Sequence, residues 1–369
     1  MFHVTKLLPR QNSNDVVNLD LGISLNFLKV FNIPLRQRVA KSKLVYVQAK
    51  ISASILGLSA KVQEIFYQLQ ATKQKYELLK KSNQAAQAMY LVTERLHKAG
   101  NVSDFKLLKQ NALAQSSRLD LAEAKLLLMQ HREQLNQSMG LWGKQSIQWH
   151  IASHLPQIET MVFKFDGLWQ QAIKNSINLA LAKQEIQIIV DGTGMKNGNI
   201  LIPELDVGYN WEKTDNEWEV GPSIGFSIPL FDMGQAKHLT SQADLNQARY
   251  NYYATAVELR STIKVIMQAF KFAHEKVLHY KNVLIPLQHR LLEERQRSYN
   301  AMQISVFDLL NSKRDLLTLK QAYVDTQRDY WLAYSQLQML LNGRIPESLN
   351  FNNRPQAKIN SNNNAQGTH

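Results

Sequence analysis

Proline and glycine are nearly absent from long parts of this sequence, and this absence constrains the fold more than any other feature. Pro34 and Pro156 bracket a stretch without proline, and most of that stretch contains only Gly57 and Gly100. Because these two residue types end helices, their absence permits helices far longer than the globular mean of about 11–12 residues. A continuous helix over 35–98 would be about 95 Å long. Such a helix predicts a coiled coil or a long bundle rather than a compact domain.

The predicted helices carry heptad patterns. On 101–140, residues three and four apart form a coiled-coil seam, which consists of Phe105, Leu108, Ala112, Gln115, Leu119, Ala122, Leu126 and Met129. On 304–342, two adjacent columns recur every seven residues: Leu309, Leu316, Tyr323, Tyr330 and Leu337, and beside them Leu310, Leu317, Val324 and Trp331. Two adjacent columns give a helix a wide apolar stripe that can contact more than one neighbour. An ordinary bundle core and an extended coiled-coil wall both fit this pattern.

The chain contains an internal repeat with an offset of about 200 residues. Arg95 to Leu108 aligns with Arg297 to Leu310 without a gap, and the identical pairs include Ser103 with Ser305 and Phe105 with Phe307. Further upstream, 22–28 aligns with 225–231, and 42–50 aligns with 241–249. A period of this length indicates a duplicated domain rather than a solenoid of small repeats.

We therefore predict a mainly α fold with a small β part, built from two repeats and a tail. The first repeat is assigned to 1–165, with strands over 2–8 and 16–28 and helices over 35–98 and 101–140. The second repeat is assigned to 166–343, with helices over 166–190, 234–300 and 304–342 and a strand hairpin over 203–231. Gly192, Gly194 and Gly198 are expected to interrupt helix ahead of that hairpin. The asparagine-rich tail, 344–369, is predicted to be disordered.

The predicted strands alternate between apolar and polar residues. The apolar positions are Leu21, Ile23, Leu25 and Phe27 in the first repeat, and Val207, Tyr209, Trp211, Trp218, Ile224, Phe226 and Ile228 in the second. This alternation fits a half-buried soluble sheet and also a transmembrane β-barrel strand with its apolar side toward lipid. Two details favour the membrane: the apolar face carries no charge, and Trp211 and Trp218 flank the turn, where an interfacial aromatic girdle would lie.

Composition excludes several classes of site. Without cysteine, the chain has no disulfide, thiolate metal site or thiol nucleophile. The net charge of +13 is spread along the sequence without basic clusters interleaved with aromatics, so nucleic-acid binding is not indicated. His150 and His154 are four residues apart, but their segment has poor helical character, which favours a structural or surface role over a metal site. We predict no metal and no cofactor.

Strand pairs followed by long helical hairpins, duplicated in one chain, resemble the outer-membrane efflux proteins of the TolC type. The segment EVGPSIGFSIPLFDMGQAK, 219–237, resembles the part of that family in which the fourth strand turns into a helix. GLWG at 140–143 and KAGNVSDFKLL at 98–108 resemble its helix end and its helical turn. Pro286 lies where the family often has a proline inside a long helix.

The resemblance implies a homotrimer in the outer membrane. Three chains would close a twelve-stranded β-barrel, and their long helical hairpins would continue it across the periplasm as a hollow α-barrel. The assembly would be the passive exit duct of a tripartite efflux pump or a type I secretion system, docked on a periplasmic adaptor and an inner-membrane pump. The cargo could be drugs, metals or proteins, and no enzymatic activity is expected.

The resemblance also assigns sites to the two helical turns, which should form the periplasmic tip. The expected gate residues are Tyr299, Asp308, Asn311 and Lys106. The expected adaptor-docking residues are Gly100, Asn101, Val102, Ser103, Met302, Gln303, Ile304 and Ser305. Asp308 repeated by trimer symmetry would make a ring of charge that filters cations, or it could be only a solvated helix residue. Val102 and Ile304 are expected to be exposed for docking contacts, with local packing of the turn as the alternative.

Relative to the family, the sequence lacks a signal peptide, a first helix pair and most of a first strand, so an N-terminally truncated member is expected. Residues 2–8 would then be the tail of strand one. The alternatives are a periplasmic adaptor, a soluble coiled-coil scaffold or a non-functional fragment. An adaptor would have one hairpin inside nested β domains, and a soluble scaffold would have no reason to keep an uncharged apolar strand face.

Overall fold

The computed structural model describes residues 3–4, 19–26, 33–158, 167–197, 205–214, 217–226 and 235–346. The chain divides into two compact units. Unit 1 consists of Met1–Ala53 and Ile177–Glu258, and unit 2 consists of Ser54–Ser176 and Leu259–His369. Most of the predicted tail, from residue 347 onward, lies outside the described residues.

Long helices dominate the described residues. The strands are β1 (His3–Val4), β2 (Leu19–Asn26), β3 (Leu205–Thr214) and β4 (Glu217–Phe226). The helices are α1 (Ile33–Lys98), α2 (Asp104–Met139), α3 (Gln145–Gln148), α4 (Leu168–Asn175), α5 (Ile177–Asn197), α6 (Gln235–His279), α7 (Ile285–Asn300) and α8 (Val306–Leu341). Among the described residues, no helix has both the length and the apolar character needed to cross a membrane.

The strands of unit 1 form one antiparallel sheet in the order β1-β2-β3-β4. Its register aligns the apolar positions across strands, so that Trp211 of β3 pairs with both Leu21 of β2 and Val220 of β4. At the next position of β3, Asn210 pairs with Gly22 of β2 and with Gly221 of β4. Because successive strand residues point to opposite faces, one face of this sheet is apolar and the other is polar or glycine-rich.

The hairpin end departs from the predicted pattern. Strand β3 continues to Thr214 and β4 begins at Glu217, although the sequence pattern suggests that both strands stop short of this polar stretch. Lys213 pairs with Trp218 and lies two residues beyond Trp211, so its strand position belongs to the apolar face. The prediction of an apolar face without charge is therefore wrong at this end, because both strands extend into the polar stretch.

The helix pair predicted over 166–190 is present as α4 and α5, although α5 is described further, to Asn197. Ser176 separates them with an extended backbone, ψ 107°, and is only 5% exposed. The side chain of Asn175 donates to the carbonyl oxygen of Leu341 at 3.0 Å, which fixes the end of α4 against α8. This tertiary contact, which no local pattern encodes, accompanies the break.

The sequence predicts that the glycines ahead of β3 interrupt the helix before that strand. The structure does not show this interruption at Gly192 or Gly194. Helix α5 passes through Gly192 and Gly194 and is described to Asn197, while Gly198 lies outside the described residues. Each helical glycine costs about 1 kcal/mol relative to alanine, which a packed helix can absorb. The Ser42 hydroxyl donates to Asp191 at 2.7 Å, so contact with α1 holds α5 beside these glycines.

In unit 2 the long helices pack side by side in the order α2, α1, α8, α6. Leu135 of α2 is buried with Ile65 and Leu69 of α1. Tyr67 of α1 stacks on Trp331 of α8, with ring centroids 5.3 Å apart. Phe270 of α6 lies 5.2 Å from the ring of Tyr330 on α8. The two adjacent columns of α8 therefore contact different neighbours, as the width of its stripe predicts.

The coiled-coil seam predicted on α2 has no such burial. All eight of its residues are exposed. Phe105, at the start of the seam, is 75% exposed, and Met129, at its end, is 58% exposed. The buried residues of α2, which include Ala114 and Leu135, lie on a different side of the helix. The seam is thus a continuous apolar stripe that faces away from α1.

A π-helical turn, Tyr280–Leu284, joins α6 to α7 just before Pro286. Proline has no amide hydrogen, and its ring clashes with the carbonyl one turn earlier in a regular α-helix. A wider turn relieves that clash, and single π turns occur in long helices for this reason. The long helix predicted over 234–300 therefore continues past its proline.

Arg132 fixes the chain that follows α2. Its guanidinium donates to the carbonyl oxygens of Ile147 at 2.8 Å and Trp149 at 3.3 Å, and it lies 4.7 Å from the indole ring of Trp149. The indole nitrogen of Trp149 donates to the side chain of Asn136 at 2.7 Å. The Arg132 side chain therefore donates hydrogen bonds to more than one carbonyl of the segment that follows α2.

We predict that Arg132→Met lowers the free energy of unfolding by about 1–3 kcal/mol, because charge-assisted hydrogen bonds to carbonyls are lost while the methylene packing is kept. Urea denaturation followed by circular dichroism measures the loss. Arg118→Met, at an exposed site on the same helix, is the matched control. Equal midpoints for the two variants would contradict this role for Arg132.

Candidate functional site

Two tight turns join the long helices of unit 2 and have the same backbone geometry. Gly100 has φ 76° in the first turn, and Met302 has φ 60° in the second. In each turn this residue donates its amide to the carbonyl three residues earlier, His97 or Tyr299, at 2.8 and 2.9 Å. The following residue donates to the carbonyl five residues earlier in both cases. These two hydrogen bonds are the Schellman pattern that ends helices.

The helices that follow the turns begin in the same way but are capped differently. Ser103 and Ser305 are the N-cap residues, each with ψ 157°. In the second turn the Ser305 hydroxyl accepts from the amide of Asp308 at 3.3 Å, and the amide of Ser305 donates to the Asp308 carboxylate at 3.2 Å. Asp308 is therefore the acidic member of a capping box.

The electrostatic state of Asp308 follows from this box. Hydrogen bonds from the side chain and backbone of Ser305 hold the pKa of its carboxylate below the ordinary value, and the cations Arg295 and Lys106 lower it further. Asp308 is fully exposed. Its fixed negative charge is available to solvent and ions at the turn.

The first turn has Lys106 at the position equivalent to Asp308, and its cap lacks a side-chain hydrogen bond. His97 stabilises this turn instead. Its Nδ1 lies 2.8 Å from the carbonyl oxygen of Val102, and its Nε2 lies 3.2 Å from the carboxylate of Asp104.

Lys106 joins the two turns. Its Nζ lies 3.9 Å from the centroid of the Phe307 ring. Phe307 is only 8% exposed, whereas Phe105, at the equivalent position of the first turn, is 75% exposed. The sequence does not predict this difference in burial, although Phe105 lies between Asp104 and Lys106 and Phe307 lies between Val306 and Asp308.

The predicted docking residues differ in exposure. Gly100, Asn101, Ser103, Met302, Gln303 and Ser305 are exposed. Val102 and Ile304 are half-buried and so are less exposed than the prediction expects, and their docking role stays a prediction. The exposed apolar side chains at this end are Met302 at 93%, Phe105 at 75% and Leu108 at 65%.

The predicted gate residues are only partly brought together. Lys106 and Asp308 influence each other electrostatically, with Arg295 as a third charge that the sequence does not indicate. Tyr299 is 38% exposed and contributes its backbone carbonyl to the turn. Asn311 is half-buried one turn beyond Asp308.

The predicted membrane-facing residues lie on the sheet as the register requires. Where side chains are described, the exposed ones are Ile23 at 43%, Val207 at 45%, Tyr209 at 48%, Trp218 at 51% and Ile224 at 70%. Trp211 is half-buried, and its ring centroid lies 5.5 Å from that of Tyr209. Leu21, Leu25 and Phe226 occupy strand positions in the same register set, and Phe27 and Ile228 lie outside the described residues.

A groove of about 740 Å³, lined by both polar and apolar side chains, lies along the four long helices of unit 2. Lys75 and Arg328 both bind the Asp325 carboxylate, at 2.9 and 3.1 Å. On the facing side, Nδ1 of His131 lies 2.9 Å from the hydroxyl of Thr72. Burial, and then the charge of Arg328, lower the pKa of His131. The sequence does not predict this groove, because its residues come from four separate helices.

Within the described residues, no group of histidine, aspartate and glutamate side chains could hold a metal ion. His150 and His154 are both exposed, in the irregular segment that follows α3. The carbonyl oxygen of His154 accepts from the side chain of Gln70 at 3.5 Å. Neither histidine is placed in a ligand cluster.

Residues 8–141 match the sequence profile of a family described as outer membrane efflux protein. A comparison with curated proteins finds no match. Three solved structures are similar in fold. For the Campylobacter jejuni outer membrane channel CmeC, the TM-score is 0.72 at 15% identity, over 94% of this chain and 77% of that one.

The other two comparisons agree with the first. The outer membrane protein VceC from Vibrio cholerae gives a TM-score of 0.69 at 14% identity, over 94% of this chain and 86% of that one. The open state of the Neisseria gonorrhoeae outer membrane channel MtrE gives 0.69 at 15% identity, over 93% and 80%. At these identities the likeness establishes the fold, which is that of TolC-type channels.

We predict that Met302→Gly raises the free energy of unfolding by about 0.5–1 kcal/mol. A non-glycine residue in the left-handed region carries about 1–2 kcal/mol of strain, part of which is offset by the extra freedom of glycine in the unfolded chain. The reciprocal change, Gly100→Met, should lower it. Urea midpoints measure both, and a lower midpoint for Met302→Gly would contradict the strain.

We predict that Asp308→Asn lowers stability at neutral pH and that the difference from the wild type disappears in acid. A carboxylate with a depressed pKa contributes stability above its unfolded-state value of about 3.9 and loses it as the pH falls through the folded-state value. Urea denaturation between about pH 7 and pH 3 checks this dependence. A difference that stays constant with pH would contradict it.

Proposed function

We propose that this chain, which contains a segment of the outer membrane efflux protein family and has the fold of the TolC-type channels, is one subunit of an outer-membrane exit duct. That family consists of efflux channels rather than enzymes. One observation carries the proposal. Among the described residues of unit 2, the helices at the two ends of the row, α2 and α6, each expose large apolar side chains.

The first stripe is the seam of α2, where Leu119 is 66% exposed and Leu126 is 57% exposed. The second stripe lies on α6 and α7, at the other end of the row. Its members are Val265 at 42%, Leu287 at 53% and Leu291 at 49% exposed, and Phe272, at 66%, borders both this stripe and the groove. Contiguous exposed apolar surface of this kind marks an interface.

The two stripes belong to different helices, so a contact between them is heterologous. A heterologous contact repeated by rotation closes a ring. Neighbouring copies would pair α2 of one chain with α6 and α7 of the next, and the row of helices becomes a closed wall. We take the ring to be a homotrimer, by resemblance to the TolC type.

The sheet of unit 1 supports insertion in the outer membrane. Its apolar set includes the exposed side chains of Ile224 at 70% and Val207 at 45%. Its edge strands, β1 and β4, have unpaired sides that would join the sheets of neighbouring copies. The apolar face would then meet lipid, while Asn210 and Ser223 would face the interior of the duct.

The turns of unit 2 would form the far end of the duct. Met302, Phe105 and Leu108 offer exposed apolar contacts there, which suits docking of a periplasmic adaptor linked to an inner-membrane pump. Asp308, repeated in each copy, would place a ring of negative charge at the aperture. We propose passive exit of cargo for a tripartite efflux pump or a type I secretion system.

The assembly test uses the chain fused behind a cleavable export signal and separates bacterial membranes by density. We expect the wild type in the outer membrane as a trimer after chemical cross-linking. Leu119→Glu/Leu126→Glu should abolish the trimer, because charge on the α2 stripe cannot be buried in an interface. Arg118→Glu, exposed on the same helix, is the control.

Trimer formation by Leu119→Glu/Leu126→Glu would contradict the assigned interface. Recovery of the wild type as a soluble, stable monomer would contradict the duct and favour a scaffold.

We predict that Asp308→Ala alters ion passage through the reconstituted protein, because a ring of like charges attracts cations and lets them block. Block by a trivalent cation in planar bilayers should weaken, and cation selectivity should fall. Asp315→Ala, at an exposed acidic site further along α8, is the control. Unchanged block and selectivity in Asp308→Ala would remove Asp308 from the aperture.

A further inference from the structure

Helices α1 and α8 of unit 2 pack side by side and run in opposite directions. Tyr67 of α1 stacks on Trp331 of α8, with ring centroids 5.3 Å apart. Further along α1, Lys75 binds the carboxylate of Asp325, which comes earlier on α8, at 2.9 Å. Residues of α1 beyond Lys75 therefore lie beside residues of α8 that precede Asp325.

This register places three lysines close together. Lys81 follows Lys75 by six residues and is level with about residue 319 of α8, next to Lys320. Lys313 lies on the same side of α8 as Lys320, because residues seven apart share one face of a helix. Lys320 is half-buried, whereas Lys81 and Lys313 are exposed.

Lys320 lies within the buried stripe of α8. Leu317 and Val324, one turn to either side of it, are only 6% and 1% exposed. Val324 is buried together with Leu155, from the segment that follows α3. Lys320 is thus a cation at the edge of packed apolar side chains, where charge interactions are stronger than in open solvent.

The three ammonium groups lack a counter-charge in the part of the chain that the structure describes. There, Lys81, Lys313 and Lys320 form neither an ion pair nor a side-chain hydrogen bond, whereas Lys75 and Lys98 each bind a carboxylate. The pKa of Lys320 lies below its ordinary value, first because of burial and then because Lys313 and Lys81 repel its charge. A bound anion would remove this unfavourable energy.

We propose that Lys81, Lys313 and Lys320 form a binding site for a phosphate group. Each lysine has three N–H donors and binds phosphate as a point charge. A phosphate group carries a charge of about −1.5 to −2 near pH 7 and has three acceptor oxygens, so it can face several ammonium groups at once. Chloride or a single carboxylate supplies only one negative charge.

A free phosphate ion and the phosphate of an anionic lipid headgroup share this chemistry. The site is independent of the proposed duct, because all three lysines belong to unit 2 of one chain.

Urea midpoints of the purified full chain, measured at pH 7 and equal ionic strength, test the site. Sodium phosphate should raise the wild-type midpoint above its value in sodium chloride, because a ligand that binds only the folded state stabilises it. Lys320→Met keeps an apolar stem in the buried stripe and should lose this increment. In sodium chloride its midpoint should exceed that of the wild type, because the repulsion is removed.

Lys271→Met, at an exposed lysine of α6, is the matched control and should keep the phosphate increment. Equal wild-type midpoints in the two salts would overturn the proposal. An increment that survives in Lys320→Met would also overturn it.

Acetylation of lysines, followed by mass spectrometry of peptides, tests occupancy directly and distinguishes the two sources. Inorganic phosphate should slow acetylation of Lys320 relative to Lys271, by about tenfold at about ten times the dissociation constant. Unchanged acetylation of Lys320 in inorganic phosphate would overturn the site.

Vesicles of phosphatidylglycerol and of phosphatidylcholine, at the same phosphate concentration, complete the comparison. Stronger protection of Lys320 by phosphatidylglycerol than by inorganic phosphate, without protection by phosphatidylcholine, would support the site and identify a lipid headgroup as its ligand. Protection by inorganic phosphate that phosphatidylglycerol does not exceed would support the site and identify the free ion.

Discussion

The burial of α8 on two sides at once is the interaction on which the rest of the structure depends. Its two apolar columns are one residue apart, and so they face different neighbours. Trp331 stacks on Tyr67 of α1, and Tyr330 packs against Phe270 of α6. Leu316 and Leu337 are almost fully buried between them. A helix with one narrow seam could hold one partner, whereas α8 holds the centre of a row.

A row of helices differs from a closed bundle because each end helix has a neighbour on one side only and leaves apolar side chains exposed on the other. Here α2 and α6 are those end helices, and their exposed stripes are the surfaces that a ring of copies would bury. The same arrangement leaves a groove along the row, and Lys75 and Arg328, which line it, both bind Asp325. Exposed apolar sides at both ends of the row fit the proposed duct, in which several chains would close the wall.

Much of this fold can be predicted from the sequence, because it depends on the periodicity of apolar residues and on where proline and glycine occur. The absence of proline sets the long helices, and the paired columns on α8 set its two contacts. What sequence could not indicate depends on distant contacts. The place at which the predicted helix pair breaks, Ser176, accompanies a hydrogen bond from Asn175 to Leu341, and the exposure of the α2 seam reflects the position of α1. Phe105 and Phe307 occupy equivalent positions in the two repeats, but Phe307 is buried and contacts Lys106, whereas Phe105 is exposed.

Single-channel recording tests the central claim most directly. The purified chain, reconstituted in a planar lipid bilayer, should give discrete conductance steps of uniform size, because a ring of identical subunits forms a duct of fixed diameter. Cross-linked trimers isolated from the outer membrane should give the same steps. A trimer that inserts in the bilayer and gives no discrete conductance would contradict the assignment of this chain as an exit duct.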